Sequence, residues 1–474
     1  MDRAKIHFRC DGGPAIGLGH LTRSLALAQM LDSLFEVHFH CIEAPDSFRK
    51  ELRSLGYYFH ALQHNDEFTD AIAQGDKVVI DHYGIGIDLH RRIRAKGAFL
   101  ACIDDLHDKP FDADLIINHA PGVKAADYQA QPNTQFALGP GYALLRPEFL
   151  EAARQQALRE ANKNLLICFG GADFNNLSCQ ALQSLRNNDF FAQIRIITGS
   201  AFPFRNELAQ QVKKDPRVQW YENQSATEML AHMQACTFAL APASSIAYEL
   251  LAAGCVWLGG YYVDNQRNIY EGFKALGAMI DMGDLNEIQK NYINLEKKLK
   301  SDAEPSFKLK AGSEKKLLKS FIKKSELHFR KAKLDDALLL FKWANDNDVR
   351  KNSLNPNPII WEEHLKWYSN KINSALTVIY ILEYNQVPLG QIRLDMVDDF
   401  WQIDYSIDSR FRGISLGTLM IDFVKSQADI FNKLSALVKK DNYASLYVFI
   451  NNGFQKISEE ETDKANLIRF EYKL

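Results

Sequence analysis

Between Phe8 and Leu31 the chain reads FRCDGGPAIGLGHLTRSLALAQML, and this stretch narrows the choice of fold more than any other. The apolar run Ile6-His7-Phe8 predicts a first strand. Gly12, Gly13, Pro14, Gly17 and Gly19 then form a glycine-rich turn. From His20 or Leu21 an amphipathic helix carries Leu25, Leu27, Ala28 and Leu31. Strand, glycine loop and helix open an α/β unit. The helix start offers free N–H groups and a partial positive charge, which suit a phosphate. His20 stands where loop meets helix, a place for a general base or acid and equally for an ordinary polar residue. The glycines miss the G-x-G-x-x-G spacing, and the Gly-Lys-Ser/Thr of a P-loop is absent.

The same logic repeats along the chain. Val37–Cys41, Lys77–Asp81, Phe99–Ile103 and Leu115–His119 read as buried strands of a parallel sheet. Asp81, His82, Asp104, Asp105, Asn118 and His119 follow or end these runs, at the carboxyl edge where ligands gather. A boundary falls near Tyr142–Pro147, and the pattern restarts. Asn164–Phe169 leads into Gly170-Gly171, Phe238–Ala241 into the Ser244-Ser245 start of a helix, and Cys255–Gly259 into Asp264-Asn265-Gln266. From about 285 to 326 lysines become dense, among them Lys297, Lys298 and Lys300, and read as solvated helix faces and a connector. A third unit starts near Glu326, with strands at 327–330, 377–383, 387–394 and 401–407, a turn at Asn385-Gln386, and the loop Ser409–Gly417 opening a helix to Lys425.

Composition excludes several classes. With 474 residues, two or three domains are expected. A net charge of −3 gives no general pull toward nucleic acid or anionic membrane. No apolar run reaches the roughly 20 residues of a spanning helix, and no signal-peptide pattern opens the chain. The seven cysteines form no C-x-x-C pair, so neither zinc nor disulfides are indicated, and a reducing cytoplasm is expected.

Three blocks in the first 300 or so residues carry a resemblance: Arg9-x-Asp11 through Gly17-Leu18-Gly19-His20-x-x-Arg23, Ser244-Ser245 through Glu249 and Gly254, and Asp264-Asn265-Gln266. They resemble the nucleotide-sugar hydrolase family of UDP-2,4-diacetamido-2,4,6-trideoxy-β-L-altropyranose hydrolase, related to two-domain GT-B type glycosyltransferases. The resemblance implies two Rossmann-like domains, 1–147 and 148–300, and metal-independent removal of UDP from the anomeric carbon. It implies His20 as the base for water and Asp11 as a second catalytic residue. Arg9, Gly17, Gly19 and Arg23 would serve the substrate. Gly170, Gly171, Ser244 and Ser245 would face phosphate, Glu249 the ribose, and Asn265 and Gln266 the sugar.

After a connector at 301–325, residues 326–474 resemble a GCN5-related N-acetyltransferase (GNAT), an α+β domain that uses acetyl-CoA. Arg412-Gly413-Ile414-Ser415-Leu416-Gly417 is the motif, with Ser415 where the family has glycine. The resemblance implies a coenzyme A site at Arg410, Arg412, Gly413, Ser415, Gly417, Asn442 and Ser445. Phe449 stands where many members carry a tyrosine, which leaves the acid role to Tyr447, Tyr443 or water. Asp404 or Tyr405 would help to deprotonate the acceptor amine. The pairing of domains implies a bifunctional enzyme of pseudaminic acid biosynthesis with small-molecule UDP-sugar substrates. A GT-B glycosyltransferase with a C-terminal binding module is the alternative. Oligomeric state is not legible in the sequence.

Overall fold

The computed structural model describes residues 3–13, 16–155, 160–292, 295, 299, 307–462 and 465–473. Pro14, Lys297, Lys298, Lys300 and the first six residues of the expected connector lie outside this set. The chain forms two compact units, Ala4–Ser320 and Phe321–Leu474.

The larger unit is built on two parallel sheets. The first has the strand order Tyr58–Ala61, Phe35–Cys41, Ala4–Cys10, Lys77–Asp81, Phe99–Ile103, Leu115–Asn118, Gln135–Leu138. The second runs Val218–Glu222, Gln193–Thr198, Asn164–Ile167, Phe238–Pro242, Val256–Tyr261, Ile280–Asp284. Both are Rossmann-like: the chain starts in mid-sheet, winds to one edge, then returns and winds to the other. The direction reverses between Ala4–Cys10 and Lys77–Asp81 in one sheet, and between Asn164–Ile167 and Phe238–Pro242 in the other. Such a reversal leaves a crevice beyond the carboxyl ends of the two strands. The crevice is where the His20 loop, Asp81, Gly170-Gly171 and Ser244-Ser245 fall.

The central strands are buried on both faces, which is why they read as continuous apolar runs. Val78, Ile80, Leu100, Cys102 and Ile116 share one core cluster. Leu165, Ile167, Ile194, Ile196 and Leu240 anchor that of the second sheet. The strands that apolar patterning misses are mostly edges: Tyr58–Ala61, Gln135–Leu138, Val218–Glu222 and Ile280–Asp284. An edge strand is covered less and keeps polar residues; Tyr58, His60 and Ala61 are exposed. The stretch expected as a connector contains the helix Ser313–Phe321, which buries Leu317 and Leu318.

The smaller unit holds a mixed sheet with the order Leu327–Lys331, Thr377–Tyr384, Val387–Val397, Phe400–Ile407, Lys433–Lys439, Ala465–Lys473, Gln455–Thr462. Its pairs are antiparallel except Phe400–Ile407 with Lys433–Lys439. Among the described residues no helix is long and apolar enough to cross a membrane.

The hairpin from Thr377–Tyr384 to Val387–Val397 turns on Asn385 (φ 43°) and Gln386 (φ 66°), as a two-residue turn matched to strand twist requires. Asn adopts this region readily, and Gln only at a steric cost. Gln386→Gly is therefore expected to stabilise the unit by about 0.5–1 kcal/mol in thermal or urea unfolding.

Candidate active sites

The helix Gly19–Leu31 buries His20, Arg23 and Ser24 among its apolar residues. Positions i, i+3 and i+4 share one helix face. That face meets Asp81, the last residue of its strand and the neighbour of Cys10 in the sheet. His20 Nδ1 lies 2.6 Å from Asp81 Oδ1. Arg23 donates to both Asp81 oxygens, from Nε at 2.7 Å and Nη2 at 2.6 Å. Ser24 Oγ donates to Asp81 Oδ2 at 3.2 Å. The other arm of Arg23 reaches Asp105 Oδ2 at 2.7 Å, which also accepts from Tyr83 Oη at 3.0 Å. The Tyr83 ring stands edge-on to His20, 4.5 Å between centroids.

These charges decide the chemistry of the imidazole. Burial opposes an ionised Asp81, but Arg23 and then His20 outweigh it and hold the carboxyl well below the usual carboxylate range. An ionised carboxylate only accepts hydrogen bonds, so Nδ1 of His20 carries the proton and donates it. Nε2 is left as the basic atom, the arrangement by which a buried aspartate orients a histidine base. His119, just past the strand Leu115–Asn118, is pushed down to about 3 by burial and then by Arg23, and stays neutral.

Two expected residues, Arg9 and Asp11, pair with each other. Arg9 is fully buried, and its guanidinium donates to Asn65 Oδ1 (2.9 Å) and Asp11 Oδ2 (2.7 Å). It ties Asn65 to Asp11, because an interior cation needs a buried anion beside it. Asp11 accepts from the backbone N–H groups of Ile42 (2.7 Å) and Glu43 (3.1 Å) and sits 3.3 Å from His82 Nε2. The carboxylate that touches His20 is Asp81, which sequence reasoning placed only on the ligand edge. The helical spacing of three polar residues on an apolar helix was the signal for it.

The glycine loop closes on itself through Gly17 N–H to Gly13 C=O (2.8 Å) and the reciprocal bond (3.2 Å). Gly17 has φ 76°, and a side chain at Gly12 would collide with Leu21 at 2.4 Å. Gly19 begins the helix.

The second sheet brings its own loops to the same crevice. A Cβ on Gly171 would lie 3.3 Å from Leu18, so the two glycine loops face each other. Gly170 has φ 88°. Ser244 and Ser245 are half-buried at the start of Ser245–Ala252. Glu249, one turn on, is buried and gripped at both oxygens by Arg146 (2.8 and 2.9 Å). Burial pushes its carboxyl up, against the pull of Arg146. Asn265 is exposed and reaches Tyr83 Oη at 3.4 Å. Gln266 is buried and accepts from Tyr262 N–H at 3.0 Å, which holds the loop. Tyr83 and Arg146, both unassigned from sequence, link the two sheets.

In the smaller unit, Phe400–Ile407 and Lys433–Lys439 pair only at Trp401↔Leu434 and Gln402↔Ser435. Beyond these pairs the strands part around a cleft of about 1060 Å³. Asp404, Tyr405, Arg412, Gly413, Ser415, Gly417, Asn442, Ser445 and Tyr447 all line it. The helix Leu416–Lys425 aims its first N–H groups there. Ser415 sits at φ 70°, ψ 19°, a left-handed conformation that glycine adopts without steric cost. Asn442 caps the following helix by accepting from Ser445 N–H (3.2 Å), and Ser445 Oγ lies 3.1 Å from Tyr405 Oη. Arg412 is bound to Asp346 (2.5 Å) and Asp348 (2.7 Å). Arg410 forks onto Asp408, two residues away, and stacks on Phe411. Tyr447 is largely exposed, and Phe449 is buried. Among the described residues, no group of three His, Cys, Asp or Glu is placed to hold a metal.

Asp81→Asn removes the anion that three donors address and is expected to cost about 3–5 kcal/mol in urea unfolding at neutral pH. Because the folded-state value is depressed, this stabilisation is complete above the ordinary carboxylate range and fades as the pH falls through the folded value. The gap between native protein and variant should therefore narrow in acid. Ser415→Gly relieves a left-handed serine and should raise stability by about 1 kcal/mol, read as a higher Tm.

Comparison with known proteins follows the same division. Residues 326–455 match the family model described as an acetyltransferase (GNAT) domain. An uncharacterized protein of Methanocaldococcus jannaschii is 26% identical over 487 aligned positions, covering 95% of this chain and 97% of its own length. UDP-2,4-diacetamido-2,4,6-trideoxy-β-L-altropyranose hydrolase of Campylobacter jejuni is 29% identical over 271 residues, 56% of this chain and 94% of its own length. The spore coat polysaccharide biosynthesis protein SpsG of Bacillus subtilis is 24% identical over 282 residues, 58% of this chain and 82% of its own length. The chain thus carries a region homologous to the altropyranose hydrolase and to SpsG, fused to a C-terminal GNAT domain.

Proposed function

We propose that this chain is a bifunctional nucleotide-sugar enzyme of pseudaminic acid biosynthesis, working in the cytoplasm. The C-terminal domain transfers an acetyl group from acetyl-CoA to UDP-4-amino-4,6-dideoxy-N-acetyl-β-L-altrosamine. The N-terminal region then hydrolyses the product, UDP-2,4-diacetamido-2,4,6-trideoxy-β-L-altropyranose, to the free sugar and UDP. Residues 1–147 and 148–300 act as a GT-B type pair in this proposal, and 326–474 as the GNAT domain. The observation that carries the hydrolase half is the His20–Asp81 contact beside a glycine loop, in a region homologous to a hydrolase of that substrate.

In this reading UDP lies against Gly170-Gly171 and the Ser244-Ser245 helix start, whose N–H groups meet the diphosphate as its charge grows. Glu249 serves the ribose, and Asn265 the sugar. His20 Nε2 takes a proton from water, the water oxygen bonds to the anomeric carbon, and the carbon–oxygen bond to UDP breaks. Asp81 holds the resulting imidazolium, and Arg23 keeps Asp81 ionised. UDP is already a good leaving group, so placing water and stabilising charge supply most of the acceleration.

In the C-terminal cleft, the helix start at Leu416–Thr418 and Gly413 suits the pyrophosphate of coenzyme A, and the gap between the parted strands suits its pantetheine arm. Tyr447 and Tyr405 are the candidate acids for the leaving thiolate. Burial raises Tyr405, which keeps it protonated.

The test is release of UDP from the diacetamido UDP-sugar by the purified chain without any acceptor. Release should persist in EDTA, and His20→Asn should reduce it by about two to four orders of magnitude. Unchanged release in that variant would remove His20 from the mechanism. Release that requires an added sugar acceptor would make the protein a glycosyltransferase instead.

A further inference from the structure

The sheet face that floors the C-terminal cleft is polar on two neighbouring strands. Gln391, Arg393 and Asp395 alternate with the buried Ile392 and Leu394. Gln402, Asp404 and Ser406 occupy the adjoining strand, and all six polar residues line the cleft. Asp395 is neutralised locally, by Arg393 Nε at 2.8 Å and Lys371 Nζ at 2.7 Å. Of the two carboxylates on this floor Asp404 is the more open, its side chain 55% exposed.

Gln391 is the unusual member of the group. It is buried, its Nε2 donates to Asp404 Oδ1 at 3.2 Å, and its Oε1 is enclosed without a hydrogen-bond partner. The orientation of the amide is not open to exchange, because turning it over would set oxygen against oxygen at Asp404. A buried amide oxygen left unpaired is costly, and such a cost at a cleft calls for a reason. Here the cost places an N–H on one carboxylate oxygen, while Arg393 Nη2 lies 3.7 Å from the other.

We propose that Gln391 is a positioning residue for acetyl transfer: together with Arg393 it holds the Asp404 carboxylate toward the acceptor amine. The proposal rests on the acetyltransferase reading of this domain. Asp404 takes a proton from the acceptor ammonium, directly or through one water, and passes it to solvent. The freed nitrogen attacks the thioester carbonyl, the carbon–nitrogen bond forms, and the carbon–sulfur bond breaks. The second amine proton ends on the coenzyme A sulfur. A carboxylate held by a hydrogen bond at one oxygen and by a guanidinium charge near the other meets the amine in a narrower range of geometries than a loose one. The other charged or titratable groups lining the cleft include Asp348, Arg350, Glu363, Lys439 and Tyr447, and none changes in the variant below.

The test uses the full chain, acetyl-CoA and the UDP-linked 4-amino sugar, comparing native protein with Gln391→Leu. In the variant kcat should fall about tenfold, part of what a general base supplies, with KM for acetyl-CoA unchanged. The Tm of the unliganded protein should not fall, since the orphaned oxygen leaves with the amide. Active native protein with an unchanged kcat in the variant overturns the role of Gln391 alone. A lower Tm together with a raised KM for acetyl-CoA makes Gln391 structural and likewise overturns its positioning role. Native protein that releases no coenzyme A with the amine overturns the acetyltransferase reading, and the positioning role with it.

Discussion

A carboxylate sealed inside a protein must be met by donors on every side, and Asp81 imposes that demand at the crevice of the first sheet. It is wholly buried. Meeting it draws in His20, Arg23 and Ser24 together and so sets the rotation of the first helix against the sheet. Arg23 spans to Asp105, Asp105 accepts from Tyr83, and Tyr83 meets Asn265 on the second sheet. One buried charge thus aligns a helix, two strand ends and a loop of the neighbouring half. The contact that orients the histidine also holds the crevice together.

The C-terminal domain builds its cleft by the opposite means. Its opening exists because a ladder stops: two parallel strands pair at two positions and then diverge. The parted strands give an extended ligand a place to lie, and a helix start at one end offers N–H groups to an anion. The polar floor belongs to strands whose alternate residues fill the core. The two faces of those strands therefore answer to different demands, and Asp404 stands on the face released from packing.

Much of this was readable in residues 6–31 and 409–417, where a strand, a glycine-bearing loop and a helix follow in order. The central strands declared themselves as apolar runs because burial on both faces leaves no room for polar residues. Edge strands such as Tyr58–Ala61 and Gln455–Thr462 carried no such mark. Gly17 and Gly170 were recognisable because positive φ selects glycine. Ser415 holds the same kind of conformation without it. Arg9 and Arg410 each pair with an anion two residues away, Asp11 and Asp408. A motif records residue type, while the partner of a long charged side chain is settled by what lies within reach.

By itself the sequence determined the order of the elements, the positions of the glycine loops and the identity of His20 as the residue between loop and helix. These are local properties, set by periodicity and by the conformational range of each residue. Only the tertiary structure decided that Asp81, 61 residues from His20, is its partner. The same holds for Arg146 on Glu249 and for the enclosed amide of Gln391 beside Asp404. Such pairings depend on which strand ends the sheet order makes neighbours and on how completely water is excluded there. Neither is written in the spacing of residues along the chain.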